Sequence, residues 1–236
     1  MVKISSGELT STKYLLINNQ TGETIVKVLA FNGSPRREGN TCLAISLVTA
    51  ELEAEGIETE VIQVGSKVIR GCTACGKCRE NKDERCVLPG DDVNTWIQKM
   101  KAADGILLGS PVHFAGMSGA MKSFLDRAFY VSGSNGNLLR HKVGAAVVAV
   151  RRSGGLPTFE QLNNFLLYSE MLLPTSNYWN VIHGTQPGEA AQDLEGVQIM
   201  RVLGRNMAWL MKLVENGKGK VVPPAKEAKA FMSFIH

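Results

Sequence analysis

No apolar stretch in this 236-residue sequence reaches the roughly 18 residues a helix needs to cross a bilayer, so no membrane span is expected. The N-terminus lacks a long apolar core ahead of a small-residue cleavage site, so no secretory leader is expected, and the default compartment is the cytoplasm. Charge of one sign is not in large excess: 26 Lys and Arg against 22 Asp and Glu leave +4. The basic residues are spread out, which argues against a nucleic-acid footprint. Internal repeats and low-complexity tracts are missing. No Ser/His/Asp constellation and no paired-carboxylate signature stands out, so hydrolysis of those kinds has no visible carrier. Cysteines number only five, yet four of them, Cys72, Cys75, Cys78 and Cys86, crowd into one segment.

What is present suits one α/β domain with extensions. The length buries a full core without disulfide staples. Apolar strand-like runs at 25–31, 58–64, 105–109, 142–150 and 178–182 alternate with helix-period segments at 40–55, 91–102, 119–130, 159–170 and 193–214. In the third of these helices Met121, Phe124, Leu125 and Ala128 share the inward face; Asp91 and Asp92 are expected to cap the second. Strict alternation implies a parallel sheet with helices on both faces, a three-layer α/β/α sandwich of five strands. Near-continuous apolar strands fit burial on both faces. Residues 1–24 read as an N-terminal extension with a β-hairpin turning at 19–22. Residues 25–217 read as the domain proper, carrying a cysteine-rich loop at 70–89. Residues 218–236 form a polar, Pro-interrupted tail.

Three strand-to-helix loops carry unusual chemistry. The first reads Gly33-Ser34-Pro35-Arg36-Arg37-Glu38-Gly39-Asn40-Thr41 and opens a helix. A helix N-terminus offers unpaired N–H groups to an anion. Glycines permit close approach, while Ser34, Asn40, Thr41 and Arg36 add donors. The Walker lysine and the three-glycine dinucleotide fingerprint are both missing, so a phosphomonoester fits better than a triphosphate. The second loop, Ser110 to Gly119, contains Pro111, Val112, His113, Phe114 and Gly116. In a sheet ordered 2-1-3-4-5, strands one and three flank the switch point where a flavin mononucleotide (FMN) sits. A flat ring can lie against this loop, with its backbone N–H groups tuning the flavin. His113 reads either as a surface histidine or as a group that stacks on, or donates a proton near, the flavin. The third loop holds Arg151, Arg152 and Gly154. Its arginines read either as a solvated pair or as partners of a reduced flavin or of a nicotinamide donor's phosphate.

The cysteines read C-x2-C-x2-C-x7-C. Four thiolates on one short loop can wrap a 4Fe–4S cube. Tetrahedral zinc and a set of redox-active thiols remain alternatives. Cys42, on the first helix, reads as a small core residue.

Taken in order, GSPRREGNT at 33–41, the cysteine run, SPVHF at 110–114, GMSG at 116–119 and RRSGG at 151–155 resemble the iron–sulfur flavoprotein branch of the NADPH-dependent FMN reductase family. The resemblance spans about 25–215. It implies a flavodoxin-like fold, one FMN per subunit and a homodimer or homotetramer. It puts Ser34, Arg36, Asn40 and Thr41 on the FMN phosphate, with Pro111, Val112, His113 and Phe114 along the ring; His113 stands where tyrosine is common. It further implies an FMN-dependent oxidoreductase that takes electrons from NAD(P)H or ferredoxin and passes them to a quinone, free flavin or other small-molecule acceptor. The family's iron–sulfur members hold a 4Fe–4S cluster on the compact cysteine motif and relay electrons between ferredoxin and FMN.

Overall fold

The structure, a computed structural model, describes residues 26–232 and 234. The hairpin expected within 1–24 lies outside the described residues. Five parallel strands form one sheet in the order β2-β1-β3-β4-β5: β1 Lys27–Asn32, β2 Glu58–Gln63, β3 Gly105–Pro111, β4 Val143–Val150 and β5 Val181–His183. Register aligns Lys27 with Glu58, Val28 with Gly105, Gly105 with Val143, and Val148 with Val181. Every residue of β4 is buried, and so is all of β3 except Pro111, because helices cover both faces.

On one face lie α1 (Asn40–Ala54) and α6 (Leu194–Gly217), packing Ala44, Ile45, Val48, Met200, Leu203 and Met207 onto the sheet. On the other lie α3 (Val93–Ala102), α4 (Gly119–Ser134) and α5 (Gly155–Tyr168), which contribute Trp96, Phe124, Leu125, Leu162 and Leu166. Burying each such side chain stabilises the fold by about 1.5–3 kcal/mol. The crossing of α1 and α6 is close: a Cβ on Gly204 would meet the Val48 carbonyl oxygen and Glu51 Cβ at 2.8 Å.

Several local readings change. Helix α5 starts at Gly155, earlier than 159, with Pro157 in its first turn, where a missing N–H costs nothing. Strand β5 is only three residues long. Residues 178–180 fall outside the strand, although the Asn180 carbonyl still accepts the Val148 N–H at 2.9 Å while its side chain donates to the Ala146 carbonyl at 3.0 Å. The cysteine loop contains a short helix, α2 (Lys77–Asn81). At the N-terminus of α3 Asp92 caps nothing and instead pairs with Lys67, while Asp91 accepts the Val93 N–H at 3.2 Å. Cys42, expected as a small core residue, is only partly buried.

Candidate functional site

At the carboxyl edge of the sheet the first loop is gripped from three sides. The Asn32 Oδ1 accepts the Ser34 N–H at 3.0 Å, and Gln63 Nε2 donates to the Ser34 carbonyl at 2.6 Å. Ser118 Oγ donates to the Gly33 carbonyl at 2.6 Å, and the Gly33 N–H reaches the Gly109 carbonyl at 2.8 Å. Gly65 presses on the loop from β2: a Cβ there would fall 2.2 Å from the Ser34 carbonyl carbon. Helix α1 begins behind Gly39 with no side-chain cap and no acidic residue in its first turn. That leaves the positive end of a 15-residue helix facing this loop. Ser34 and Thr41 are buried; Arg36 is exposed and donates to the Thr185 carbonyl at 3.4 Å.

Asn40 is committed elsewhere. Its Nδ2 donates to the Gln186 carbonyl at 3.0 Å, and its Oδ1 accepts the N–H groups of Gly188 and Ala190 at 3.1 and 3.3 Å. The side chain therefore pins the loop between β5 and α6 against α1, and its backbone N–H is the part left at the helix terminus. Asp193 closes that loop. Burial alone would raise its carboxyl, but the N–H groups of Gly196 and His183 outweigh burial and hold it below the ordinary carboxylate range.

The second loop is a two-residue turn. His113 and Gly116 exchange backbone hydrogen bonds at 2.8 and 3.0 Å, with Phe114 at φ 48° and Ala115 at φ 59°. Both lie in the left-handed region, which a bulky residue occupies only at a cost. The Phe114 ring is fully exposed, and His113 is exposed beside it. Pro111 and Val112 are half-buried. Gly116 backs onto Gln161: a Cβ there would meet Oε1 at 3.2 Å. The third loop closes against this turn. Gly154 has φ 88°, and a Cβ on it would sit 3.0 Å from Ala115 Cα and Val112 Cγ1. Arg151 and Arg152 project into solvent at the same edge. The three loops thus meet, and they offer backbone N–H groups, an uncapped helix terminus, arginines and an exposed aromatic turn. Such a set can take a phosphate at one end and a flat ring at the other.

The four clustered cysteines form a separate constellation against α4. All of them line one small cavity with Arg127 and Tyr130. Cys72 and Cys75 are exposed, Cys78 is buried and Cys86 is half-buried. Among the described residues no three His, Cys, Asp or Glu side chains are posed to hold a single metal ion. The Lys77 backbone N–H, followed by the Thr73 side chain, holds the Cys75 thiol below its ordinary value. Arg127 is completely buried. It pairs with Asp91, donates to the carbonyls of Arg70 and Leu88 at 3.2 Å, and places Nε 3.3 Å from Cys86 Sγ. Sequence reasoning missed Gly65, Gln63, Ser118 and Arg127 as parts of these two sites. Only the position of Ser118 ahead of an apolar helix carried a signal, that of an N-cap; the structure has it accept the Met121 N–H.

The sequence profile described as NADPH-dependent FMN reductase matches residues 26–186. An iron–sulfur flavoprotein of Methanocaldococcus jannaschii is 39% identical over 197 residues, covering 80% of this chain and 100% of that one. An iron–sulfur flavoprotein of Methanosarcina thermophila is 28% identical, covering 83% of this chain and 100% of that one. Among solved structures, a WrbA-like flavodoxin of Agrobacterium tumefaciens superposes with a TM-score of 0.55 at 16% identity, over 80% of this chain and 99% of that one, a likeness of fold. With its sheet order, its three meeting loops and its cysteine run, this flavodoxin-like chain belongs to the NADPH-dependent FMN reductase family, in the company of the iron–sulfur flavoproteins.

Proposed function

We propose that the meeting loops hold FMN and that the protein is an oxidoreductase passing electrons from a reduced donor, NAD(P)H or ferredoxin, to a small acceptor such as a quinone or a free flavin. The observation that carries this reading is the uncapped start of α1 behind a loop gripped by Asn32, Gln63, Ser118 and Gly65. On this reading the N–H groups at Gly39 to Thr41, with Ser34 and Arg36, bind the phosphate. Pro111, Val112, His113, Phe114 and Gly116 line one side of the ring, and Arg151, Arg152 and Gly154 close the other. FMN supplies the electron-transfer chemistry when bound; the chain supplies binding, orientation and charge. Arg151 and Arg152 lower the cost of negative charge at the ring edge, and His113 offers an exposed proton donor there.

A second reading is favoured by the shared cavity of the cysteines: Cys72, Cys75, Cys78 and Cys86 hold a 4Fe–4S cluster, and the protein relays electrons between ferredoxin and FMN. The donor set fits, being four thiols with a buried arginine against one of them. A compact cysteine run used for a cluster and not for disulfides fits a cytoplasmic protein, and a homodimer or homotetramer accompanies both readings. The test is an oxygen-free absorbance spectrum with added FMN, together with iron and sulfide analysis. Flavin bands with iron near four atoms per chain support the relay. Flavin bands on an iron-free sample that still oxidises NADPH support the simple reductase. Absence of flavin binding at micromolar protein defeats both.

A further inference from the structure

Beyond the cysteine loop, on the face formed by the ends of α4 and α5, the tail after α6 folds back and borders a second, solvent-open cavity of about 980 Å³. Four cations from two distant parts of the chain line it: Arg79 and Lys82 from the cysteine loop, and Lys226 and Lys229 from the tail. None of the four forms an ion pair among the described residues. By contrast Lys67, Lys77 and Lys101, on or beside the same loop, each have a carboxylate partner. The four instead rest on neutral oxygens. Arg79 donates to the Tyr130 hydroxyl at 2.9 Å, Lys82 to the Ser134 carbonyl, Lys226 to the Gly136 carbonyl at 2.8 Å, and Lys229 to the Tyr168 hydroxyl at 2.7 Å. Of the two acids lining the cavity, Glu170 is matched by Arg140. Glu227 alone opposes the four cations.

The walls between these charges are aromatic: Phe129, Tyr130, Tyr168 and Phe231. Lys229 Nζ stands 4.2 Å from the Tyr168 ring centre and 5.7 Å from that of Phe231. Tyr168 and Phe231 remain largely exposed, so the ring surface that Lys229 does not cover is open to a ligand. Cations gathered without counter-charges pay mutual repulsion that an anion would relieve. Exposed rings beside them would stack on a flat ligand and, with the cations, select an aromatic one. The volume lies at the upper end of the range for small-molecule sites. Tyr130 also lines the cysteine cavity, so a ligand here would be one side chain away from the thiols.

We propose that this cavity is a binding site for a planar aromatic ligand carrying two or more negative charges. A nucleotide and an acidic quinone share that chemistry. The site is independent of the flavin assignment.

The experiment titrates the full chain, saturated with FMN, by calorimetry with three probes: anthraquinone-2,6-disulfonate, ADP and inorganic phosphate. One aromatic anion per chain is expected to bind, more tightly than phosphate, and the tighter of the two names the source. The double substitution Lys226→Glu with Lys229→Glu is expected to weaken that binding at least about tenfold, as is Tyr168→Ala, with FMN affinity unchanged. The proposal is overturned if neither aromatic anion binds, if phosphate binds as tightly as both, or if the charge-reversed protein binds as well as the original. A chain that took up no FMN would be titrated in the same way, so failure of the flavin reading would register separately.

Discussion

Gly65 illustrates how a single hydrogen atom in place of a methyl group shapes the candidate flavin site. With 2.2 Å between its virtual Cβ and the Ser34 carbonyl carbon, any side chain must push the first loop off the end of β2. Gly65→Ala is expected to cost about 1–3 kcal/mol in urea unfolding and to weaken FMN binding, read by quenching of flavin fluorescence. Gly119→Ala is the control: a Cβ there meets nothing within 4 Å, and its effect should stay within about 0.5 kcal/mol. Equal losses from the two substitutions would refute the grip assigned to Gly65. Arg127 makes the opposite point, since a charged residue within a helix pattern would ordinarily read as solvent-facing. Here it is fully buried and bridges Asp91, two carbonyls and Cys86. Arg127→Met should destabilise by about 3–5 kcal/mol, because Asp91 is left with an uncompensated charge. Adding Asp91→Asn should recover part of that loss in the same denaturation assay; no recovery would mean the pair is not the cause.

Helices α1 and α6 are joined by a clasp at Glu51, which accepts from Arg205 Nε at 2.9 Å and from Arg201 Nε at 2.8 Å. Those two hydrogen bonds, Arg205 first, lower the Glu51 carboxyl to about 2. A depressed carboxylate stabilises the fold above its ordinary range and stops doing so as pH falls towards the folded value. Glu51→Gln should therefore cost about 1 kcal/mol near neutral pH, both arginines being half exposed. The difference from the unsubstituted protein should narrow in thermal melts as pH drops from about 4.5 towards 2. A gap that widens on acidification would count against the clasp. At this scale most of the molecule was readable, because apolar period distinguishes helix from strand wherever the segment is long. Helix α2 was not readable, since five residues in a Gly- and Cys-rich loop hold too little periodicity. The shortening of β5 to Val181–His183 was not readable either, since pairing with β4 is a tertiary contact that apolar period does not report.

For the whole chain, FMN that binds only the folded state should stabilise it by mass action. At 100 times its dissociation constant the gain is about 2.7 kcal/mol, roughly 5–10 °C in melting temperature for a domain of this size. A melting temperature indifferent to FMN would remove the premise of the flavin reading. The alternation of strands and helices, the loop bearing glycines and arginines ahead of α1, and the spacing of the four cysteines were set by sequence alone, because local periodicity and residue type carry them. Tertiary structure decided the rest: that Asn40 turns to a loop some 150 residues away, that Gly65 and Gly204 are points of contact, and that Arg127 is buried behind the cysteines. It also gathered cations from the cysteine loop and the tail around one aromatic cavity. No local pattern encodes these, because each is defined by a partner that only the folded chain brings within reach.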